Sequence, residues 1–394
     1  MSMLSAALDA TGIKVPVSNK KVNGADLQEK TERLVKMLAA ENLGGVLINS
    51  QHNFAWLTGG ANNGIDQSRE NGAATIFVRS DGKRFVLASR IEMPRILAEE
   101  ISAEDFEPIE FGWEEEKASG NFLTNRAFAL LTDDENLGSD VPLSADARTI
   151  EGAIAQRRFE LTETEIERYR TLGKDAGTII GELVKSLEPG QTELEIARLA
   201  SDALAQKNIR SVVTLVAADE RLQRFRHPVP TDKKWEKTVM IVVCARRGGL
   251  IASLSRIVCA GKAPEELKRK TLACAEVNAR LLAATRPGTT GAEAYQTAAI
   301  AYEAAGFAGE INLHHQGGAT GYRTRDWVAH PLSNEVVKAN QAFAWNPSIS
   351  GTKTEETCIV FDDEVEVLTT SPEWEKIRVE IDGREYFSPG ILSI

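Results

Sequence analysis

Cysteine is scarce in this sequence and is arranged in no metal-binding or redox pattern. The four cysteines, Cys244, Cys259, Cys274 and Cys358, form no CxxC pair, so neither a zinc knuckle nor a dithiol motif is present. A few scattered thiols in a chain of 394 residues are typical of a reducing compartment. We therefore expect a cytoplasmic protein that does not depend on disulfide bonds.

Long apolar runs and basic clusters are also missing. No stretch of about 18 apolar residues exists that would span a membrane. The N-terminal segment, residues 1–21, has only the short apolar stretch 3–8 with no basic residue before it, which is not typical of a secretory signal. The net charge is −11, and no basic run offsets it. Because phosphate binding needs a basic surface, we expect neither nucleic acid nor a membrane as a partner.

Hydrophobic residues make up 42% of the sequence, enough for large cores, and the length predicts two domains. Helical and strand patterns alternate over residues 1–156, with a buried strand at 45–48 and a hairpin signal at Ser80-Asp81-Gly82. Such alternation favours an α/β domain with a central sheet.

Residues 157–394 contain an internal repeat. The unit Pro189-Gly190-x-Thr192 recurs 98 residues later as Pro287-Gly288-x-Thr290. A long helix is predicted before each unit, a capped helix after it, and strands after that. The repetition of this helix–helix–strand unit predicts a second α/β domain, built from two related halves that share a cleft.

These features together resemble the creatinase/aminopeptidase P/prolidase superfamily. The stretch 53–59, Asn-Phe-Ala-Trp-Leu-Thr-Gly, is similar to a motif of its N-terminal domains, and residues 158–168 are similar to the segment that opens its C-terminal domain. The resemblance implies an N-terminal creatinase-like α/β domain, 1–156, followed by a C-terminal pita-bread domain with an internal pseudo-twofold repeat, 157–394.

The resemblance also implies where a dinuclear metal site would lie. Catalytic members hold two divalent cations with Asp, Asp, His, Glu and Glu, and an upstream histidine assists at the substrate. The matching positions in this chain, from the upstream histidine onward, are His227, Cys244 or a neighbouring valine, Ser253, His315, Asn346 and Glu355. Bridging carboxylates hold the two cations of such a centre, and neutral Ser253 and Asn346 cannot do this. We therefore expect no metal and no cofactor.

Creatinase keeps the fold without metals, which implies a metal-independent hydrolase that cleaves a C–N bond of a small amino-acid-like or guanidino compound. Histidine suits proton transfer near neutral pH, so His227 is the candidate acid and base, and His315 the second. Only one of Glu355 and Glu356 can face the cleft, because neighbouring strand residues alternate. We assign Glu355 to the cleft, as a group that anchors the substrate, and Glu356 to a solvated face.

Further candidates for substrate contacts are Arg256, Ser253, Asn346, Tyr322 and Arg323. Three alternatives stay open. The chain is a catalytically inactive binding protein of the same fold, an Xaa-Pro metallopeptidase with atypical ligands, or a protein with one zinc ion held by Cys244, His315 and Glu355, whose side-chain types all suit zinc.

The resemblance finally implies a homodimer in which the N-terminal domain of one subunit borders the active site of the other. The polar, glycine-rich loop 60–71 would then approach the partner, and Arg69 would supply a charge for the substrate.

Overall fold

The computed structural model describes residues 23–132 and 134–394. The N-terminal segment predicted to carry no secretory signal lies outside this range. The chain divides into two compact units, Met1–Arg158 and Phe159–Ile394, called unit 1 and unit 2 below. Within the described residues, none of the helices combines the length and the apolar character needed to cross a membrane.

Unit 1 is an α/β unit in which helices alternate with short strands. Its elements are α1 (Gly24–Glu41), β1 (Gly45–Ser50), α2 (Gln51–Leu57), β2 (Asn71–Arg79), β3 (Arg84–Ser89), α3 (Met93–Arg95) with a π-helical turn (Ile96–Glu100), β4 (Glu107–Phe111), α4 (Trp113–Ala118), α5 (Phe122–Phe128), β5 (Leu137–Ser139), β6 (Ala147–Thr149) and α6 (Glu151–Arg158).

The strands of unit 1 form one mixed sheet in the order β4-β3-β2-β1-β5-β6. β2 pairs with both β1 and β3 antiparallel, whereas the outer pairs β3–β4, β1–β5 and β5–β6 are parallel. The predicted hairpin is confirmed: Ser80-Asp81-Gly82 lies in the turn between β2 and β3, and Gly82 has φ 83°. The apolar residues 54–57 after β1 form most of the buried helix α2.

Unit 2 contains more elements and both predicted halves. They are α7 (Glu163–Lys185), α8 (Glu193–Ala205), β7 (Arg210–Ala218), α9 (Arg221–Arg224), β8 (Thr238–Arg247), β9 (Leu250–Cys259), α10 (Glu265–Ala284), α11 (Gly291–Ala304), a 3-10 turn (Ala308–Asn312), β10 (Gly317–Thr320), β11 (Gln341–Trp345), β12 (Ser348–Ile349), β13 (Thr352–Lys353), β14 (Glu356–Val360), β15 (Val365–Val367), β16 (Lys376–Ile381), β17 (Arg384–Pro389) and β18 (Ile391–Ser393).

The predicted repeat is visible in the local geometry of unit 2. Thr192 and Thr290 cap α8 and α11 through equivalent capping boxes, each with a glutamate three residues later. Gly190 and Gly288 both have a positive φ, 99° and 96°, which glycine adopts without strain. The strands β7–β9 of the first half form a four-stranded sheet with the C-terminal β18, in the order β18-β9-β8-β7, and the second half contributes the sheet β10-β11-β14-β15. The predicted mixed α/β fold with a duplicated second domain is therefore confirmed.

Helix α7 lies against the chain segment 368–371 through three glycines spaced four residues apart. A Cβ atom at Gly173 would meet Leu368, and one at Gly181 would meet Ser371. At Gly177 the contact is with backbone, because a Cβ would lie 2.5 Å from the carbonyl oxygens of Thr369 and Thr370. Such oxygens cannot move aside as a flexible side chain can, so only glycine fits there.

We predict that Gly177→Ala lowers the free energy of unfolding by about 1–3 kcal/mol, because the overpacked contact outweighs the better helix propensity of alanine. Urea denaturation of the whole chain measures this. The matched control is Gly152→Ala in α6, where no atom lies within 4 Å of the added Cβ. This control should be neutral or stabilising by up to about 1 kcal/mol. Equal stability of the two variants would show that the contact of α7 is looser than described.

Candidate functional site

A buried carboxylate with two cationic partners forms the centre of the candidate site. Glu355 immediately precedes β14 and is 2% exposed. The Lys353 Nζ lies 2.8 Å from its Oε2, and the Arg325 Nη2 lies 2.9 Å from its Oε1. Burial alone would raise the pKa of Glu355, but the charges of Lys353 and Arg325 outweigh it and lower the pKa below its usual value. Glu355 is therefore ionised at neutral pH, and the three groups carry one surplus positive charge. We call Lys353, Arg325 and Glu355 the ion triad.

The chain between β11 and β14 explains how Lys353 and Glu355 come together. After β11 the backbone turns at Asn346-Pro347 into the small hairpin β12–β13, in which Ser348 pairs with Lys353. The Thr354 amide then donates to the Pro347 carbonyl at 3.0 Å, which closes the base of the hairpin. Residues two apart in an extended segment point to the same side, so Lys353 and Glu355 share one face.

Three histidines lie beside the ion triad. The Nε2 atoms of His227 and His314 are 3.2 Å apart, and the His314 Nδ1 is 3.1 Å from the Ser348 Oγ. The His315 Nδ1 accepts a hydrogen bond from the Gly317 amide at 3.2 Å. A neutral imidazole that accepts at Nδ1 carries its proton on Nε2. His315 therefore presents an N–H donor at its other nitrogen.

An open cavity of about 140 Å³ lies between the ion triad, His227 and His315. It is lined by Val213, Leu215, His227, Val242, Cys244, His315, Thr324, Arg325, Asn346, Lys353 and Glu355. A cavity of this size has room for a small group but not for a long peptide. The structure thus brings together four of the predicted site residues, His227, His315, Asn346 and Glu355.

The three histidines are neutral at pH 7. Burial, followed by the charge of Lys353, lowers the pKa of His314 to about 2. Burial, followed by the charges of Arg325 and Lys353, lowers the pKa of His315 to about 4. The pKa of His227 is also lowered, by partial burial and then by Lys353. Such low pKa values make His314 and His315 weak bases, so His227 is the candidate general base of the three.

Cys244 and Ser253 lie on the paired strands β8 and β9, and their side chains form a hydrogen bond. The Ser253 Oγ donates to the Cys244 Sγ at 3.3 Å, and both side chains are buried. Burial, followed by the charge of Glu355, raises the pKa of the Cys244 thiol. Zinc binds the thiolate, so metal binding at Cys244 would require the loss of this proton. Ser253 itself is fully buried and is not among the residues that line the cavity.

A dinuclear metal centre does not fit this set of donors. Of the five positions that would hold the two cations, only that of Glu355 supplies a carboxylate, and Lys353 and Arg325 already neutralise it. The Nδ1 of His315 accepts a hydrogen bond from the Gly317 amide. In a metal-bound histidine, the ring nitrogen that does not bind the metal usually donates a hydrogen bond instead. The Asn346 amide and the Cys244 thiol are neutral. The same mismatch argues against the single zinc ion held by Cys244, His315 and Glu355.

Arg256 and Glu356 lie together on the side of the sheet away from the cavity. The guanidinium of Arg256 is 2.9 Å from the Glu356 Oε1, and it donates to the Ser371 Oγ and the Thr369 carbonyl. The prediction that Arg256 contacts the substrate disagrees with this buried pairing. The prediction that Glu356 lies on a solvated face is wrong, because its carboxylate is buried against Arg256. The alternation itself is confirmed, since only Glu355 faces the cavity.

Two other predicted contacts lie outside the cavity lining. The buried Tyr322 hydroxyl donates to the Glu165 Oε1 at 2.6 Å, which connects the β10 region to α7. Arg323 is exposed, and its carbonyl accepts a hydrogen bond from Thr320. Arg69 is exposed in the loop of unit 1, where its carbonyl accepts from Gln51, and its role in a dimer stays a prediction.

Sequence reasoning missed three residues of the site, namely Lys353, Arg325 and His314. For Lys353 a signal existed, because it is two residues before Glu355 in an extended segment and so had to share its face. His314 is adjacent to His315, but the family motif contains a single ligand histidine and so does not indicate His314. Arg325 offered no local signal, since its partner Glu355 is 30 residues away in the sequence.

Unit 1 contains a polar cluster of its own, built around Asp140. This buried carboxylate accepts hydrogen bonds from the Asn49 and Ser50 amides, the Ser50 hydroxyl and the Asn53 side chain. The Asn53 amide nitrogen also donates to Glu151 at 2.6 Å. The first residue of the superfamily-like stretch 53–59 thus stabilises the interior of unit 1.

The family comparison places the chain in a known group. The model of Metallopeptidase family M24 matches residues 167–379, which is more than half of the chain. No curated protein sequence is significantly similar to it.

Solved structures share the fold at low sequence identity. The Xaa-Pro dipeptidase from Bacillus anthracis has 18% identity and a TM-score of 0.70, covering 88% of this chain and 98% of its own. The dipeptidase PepE from Mycobacterium ulcerans has 15% identity and a TM-score of 0.75, covering 95% and 100%. The prolidase from Pyrococcus horikoshii has 17% identity and a TM-score of 0.70, covering 87% and 98%. The chain belongs to Metallopeptidase family M24, as its resemblance to the creatinase/aminopeptidase P/prolidase superfamily predicted.

Proposed function

We propose that this protein is a hydrolase that cleaves the C–N bond of a small dipeptide-like or amino-acid-derived substrate without a metal centre. The observation that carries the proposal is the ion triad. Among the described residues, Glu355 is the one carboxylate in the cavity lining, and it is already paired with two protein cations, Lys353 and Arg325. Neutral histidines beside these cations supply the acid–base chemistry.

The proposed reaction needs one water molecule and one proton carrier. His227 accepts a proton from the water as its oxygen bonds to the carbon of the scissile group. The C–N bond then breaks, and the leaving nitrogen takes its electron pair together with the proton from His227. His314 contacts the Nε2 of His227 and so orients its ring. Atoms and charges balance without any further reactant.

The Xaa-Pro metallopeptidase with atypical ligands is a second candidate. The names of the similar structures, prolidase and dipeptidase, favour its type of substrate over a guanidino compound. Moreover, one ring nitrogen from each of His227, His314 and His315 lies within 4.8 Å of the others, a possible cluster of metal ligands. The surplus charge of Lys353 and Arg325, however, would repel a divalent cation there. We therefore retain a peptidase-like substrate and propose the metal-independent chemistry.

Metal analysis separates the two candidates. We expect the purified protein to contain less than about half an equivalent of any transition metal, and chelators to leave its turnover unchanged, because the surplus charge of Lys353 and Arg325 repels a divalent cation. Elemental analysis before and after dialysis against a chelator, with an activity assay on each sample, measures both. Stoichiometric zinc, manganese or cobalt that is lost together with activity would favour the metallopeptidase and refute the metal-independent reaction.

The proton carrier is tested by His227→Asn, which keeps a polar side chain but cannot accept the proton. Turnover of the best substrate in a panel of Xaa-Pro dipeptides, other dipeptides and guanidino acids should fall about 10²–10⁴-fold. His330→Asn, which changes an exposed histidine outside the cavity lining, is the matched control and should retain the wild-type rate. A wild-type rate in His227→Asn excludes His227 from the reaction. Absence of turnover in the wild-type protein over the whole panel would favour the binding-protein alternative.

The neutral state of His314 predicts a pH dependence of stability. The pKa of His314 is about 2 in the folded chain, below the usual pKa of a histidine. At a pH between these two pKa values, only the unfolded chain binds the proton. The free energy of unfolding should therefore fall as the pH is lowered, and His314 contributes about 1–2 kcal/mol of that loss between pH 7 and pH 5.

Urea denaturation at both pH values measures the effect in the wild-type chain and in His314→Gln. The variant should lose less stability on acidification than the wild type, whatever its stability at pH 7. His330→Gln is the control and should follow the wild type. Identical losses in His314→Gln and the wild type would mean that the folded chain accepts the proton at His314.

A further inference from the structure

The cavity holds hydrogen-bonding groups that no protein group uses. Among the described residues, the Arg325 Nε is buried and has no hydrogen-bond partner. The Asn346 Oδ1 is also buried and without a hydrogen-bond partner. Asn346 is 2% exposed and belongs to the cavity lining. A buried polar atom without a partner costs about 1–3 kcal/mol. Both residues line the cavity, so their unsatisfied atoms are candidates for contact with a bound molecule.

The unused donors lie with the surplus positive charge. The Lys353 ammonium has three N–H bonds, and its described ion pair is with Glu355 alone. The Arg325 Nε and the Nε2–H of His315 add two further donors at the same cavity. Three donors, two of them cationic, favour an oxygen atom that is negative or becomes negative.

The free acceptor limits the ligand further. The Asn346 Oδ1 needs an N–H or O–H donor, which a bare anion does not carry. An amide group offers both an acceptor and a donor, because its oxygen can accept hydrogen bonds from the cations and its N–H can donate to the Asn346 oxygen. The side chains of the cavity therefore match a C(=O)–N–H unit.

We propose that Lys353 and Arg325 form an oxyanion-binding pair, which holds the oxygen of the scissile amide and stabilises the negative charge that develops there. This inference rests on the proposed function and assigns the electrostatic part of that reaction. When water adds to the carbon, the electron pair of the C=O bond moves to the oxygen, and no proton passes from Lys353 or Arg325. When the C–N bond breaks, the C=O bond forms again. Preorganised charges at such an oxygen contribute strongly to catalysis.

Binding of inorganic phosphate tests the pair without turnover, because phosphate is a small tetrahedral oxyanion. Calorimetric titration of the full chain should show phosphate binding that weakens at least about 10-fold in Lys353→Met and less in Lys353→Arg, which keeps the charge. Glu355→Gln should change affinity in the opposite direction and bind phosphate more tightly, since it frees both cations. Lys262→Met removes a lysine whose side chain is 81% exposed and should leave the affinity unchanged.

Two results would overturn the pair. One is no phosphate binding by the wild-type chain at about 10 mM, where a site with a Kd of about 10 mM would be half filled. The other is equal affinity in Lys353→Met and the wild type. If Lys353→Met alone unfolds, the double variant Lys353→Met/Glu355→Gln removes both charges of the buried ion pair. It should bind phosphate more weakly than Glu355→Gln, and equal affinity of these two variants would refute a role for Lys353.

Kinetics distinguish this inference from the proposed function. With a substrate from the panel, Lys353→Met should lower kcat about 10²–10³-fold with a smaller change in KM, because the developing charge exists mainly in the transition state. Loss of activity in His227→Asn together with normal kcat in Lys353→Met would refute the pair and leave the proposed function intact. Normal activity in His227→Asn with weakened phosphate binding in Lys353→Met would refute the proposed role of His227 and leave the oxyanion-binding pair intact.

Discussion

A carboxylate buried in a protein needs positive charge beside it, and the way Glu355 meets this need determines the chemistry of the whole cavity. Lys353 and Arg325 both pair with Glu355, so the site has one more positive charge than it has negative charges. That surplus adds to the effect of burial in keeping His227 and His315 neutral, and it opposes a divalent cation. The acid–base groups and the preference for an oxyanion thus follow from one electrostatic arrangement.

The strand alternation keeps this arrangement separate from a second buried ion pair. Glu356 points to the opposite face of the strand, where Arg256 and the Thr369 hydroxyl satisfy its carboxylate. Burial raises the pKa of Glu356, with the charge of Glu355 adding to it, although Arg256 opposes the shift. Two neighbouring glutamates therefore have different surroundings. The Arg256 pair stabilises the packing of unit 2, whereas the residues of the ion triad line the cavity.

The features that the sequence predicts well are local ones. The capping boxes at Thr192 and Thr290, the repeated glycine turns and the β2–β3 hairpin depend on residues within a few positions of one another. Family motifs further identify His315 and Glu355 as cavity residues. These motifs predict which positions would correspond to metal ligands, but not which side chains balance the charge of Glu355. Arg325 and Arg256 are positioned by contacts across 30 and 100 residues of sequence, which no local pattern specifies.

In the proposed metal-free site, the scarcity of carboxylates in the cavity lining and the presence of Lys353 belong to one charge balance. Two divalent cations need several carboxylates around them, whereas one ammonium and one guanidinium are balanced well enough by Glu355 alone. Neutral Cys244, Ser253 and Asn346 are consistent with that smaller positive charge. An ammonium group stabilises an oxyanion, but it does not lower the pKa of a bound water as a metal ion does. In the proposed reaction the activation of water therefore depends on His227, which explains why a neutral histidine beside a fixed cation is the essential combination of this site.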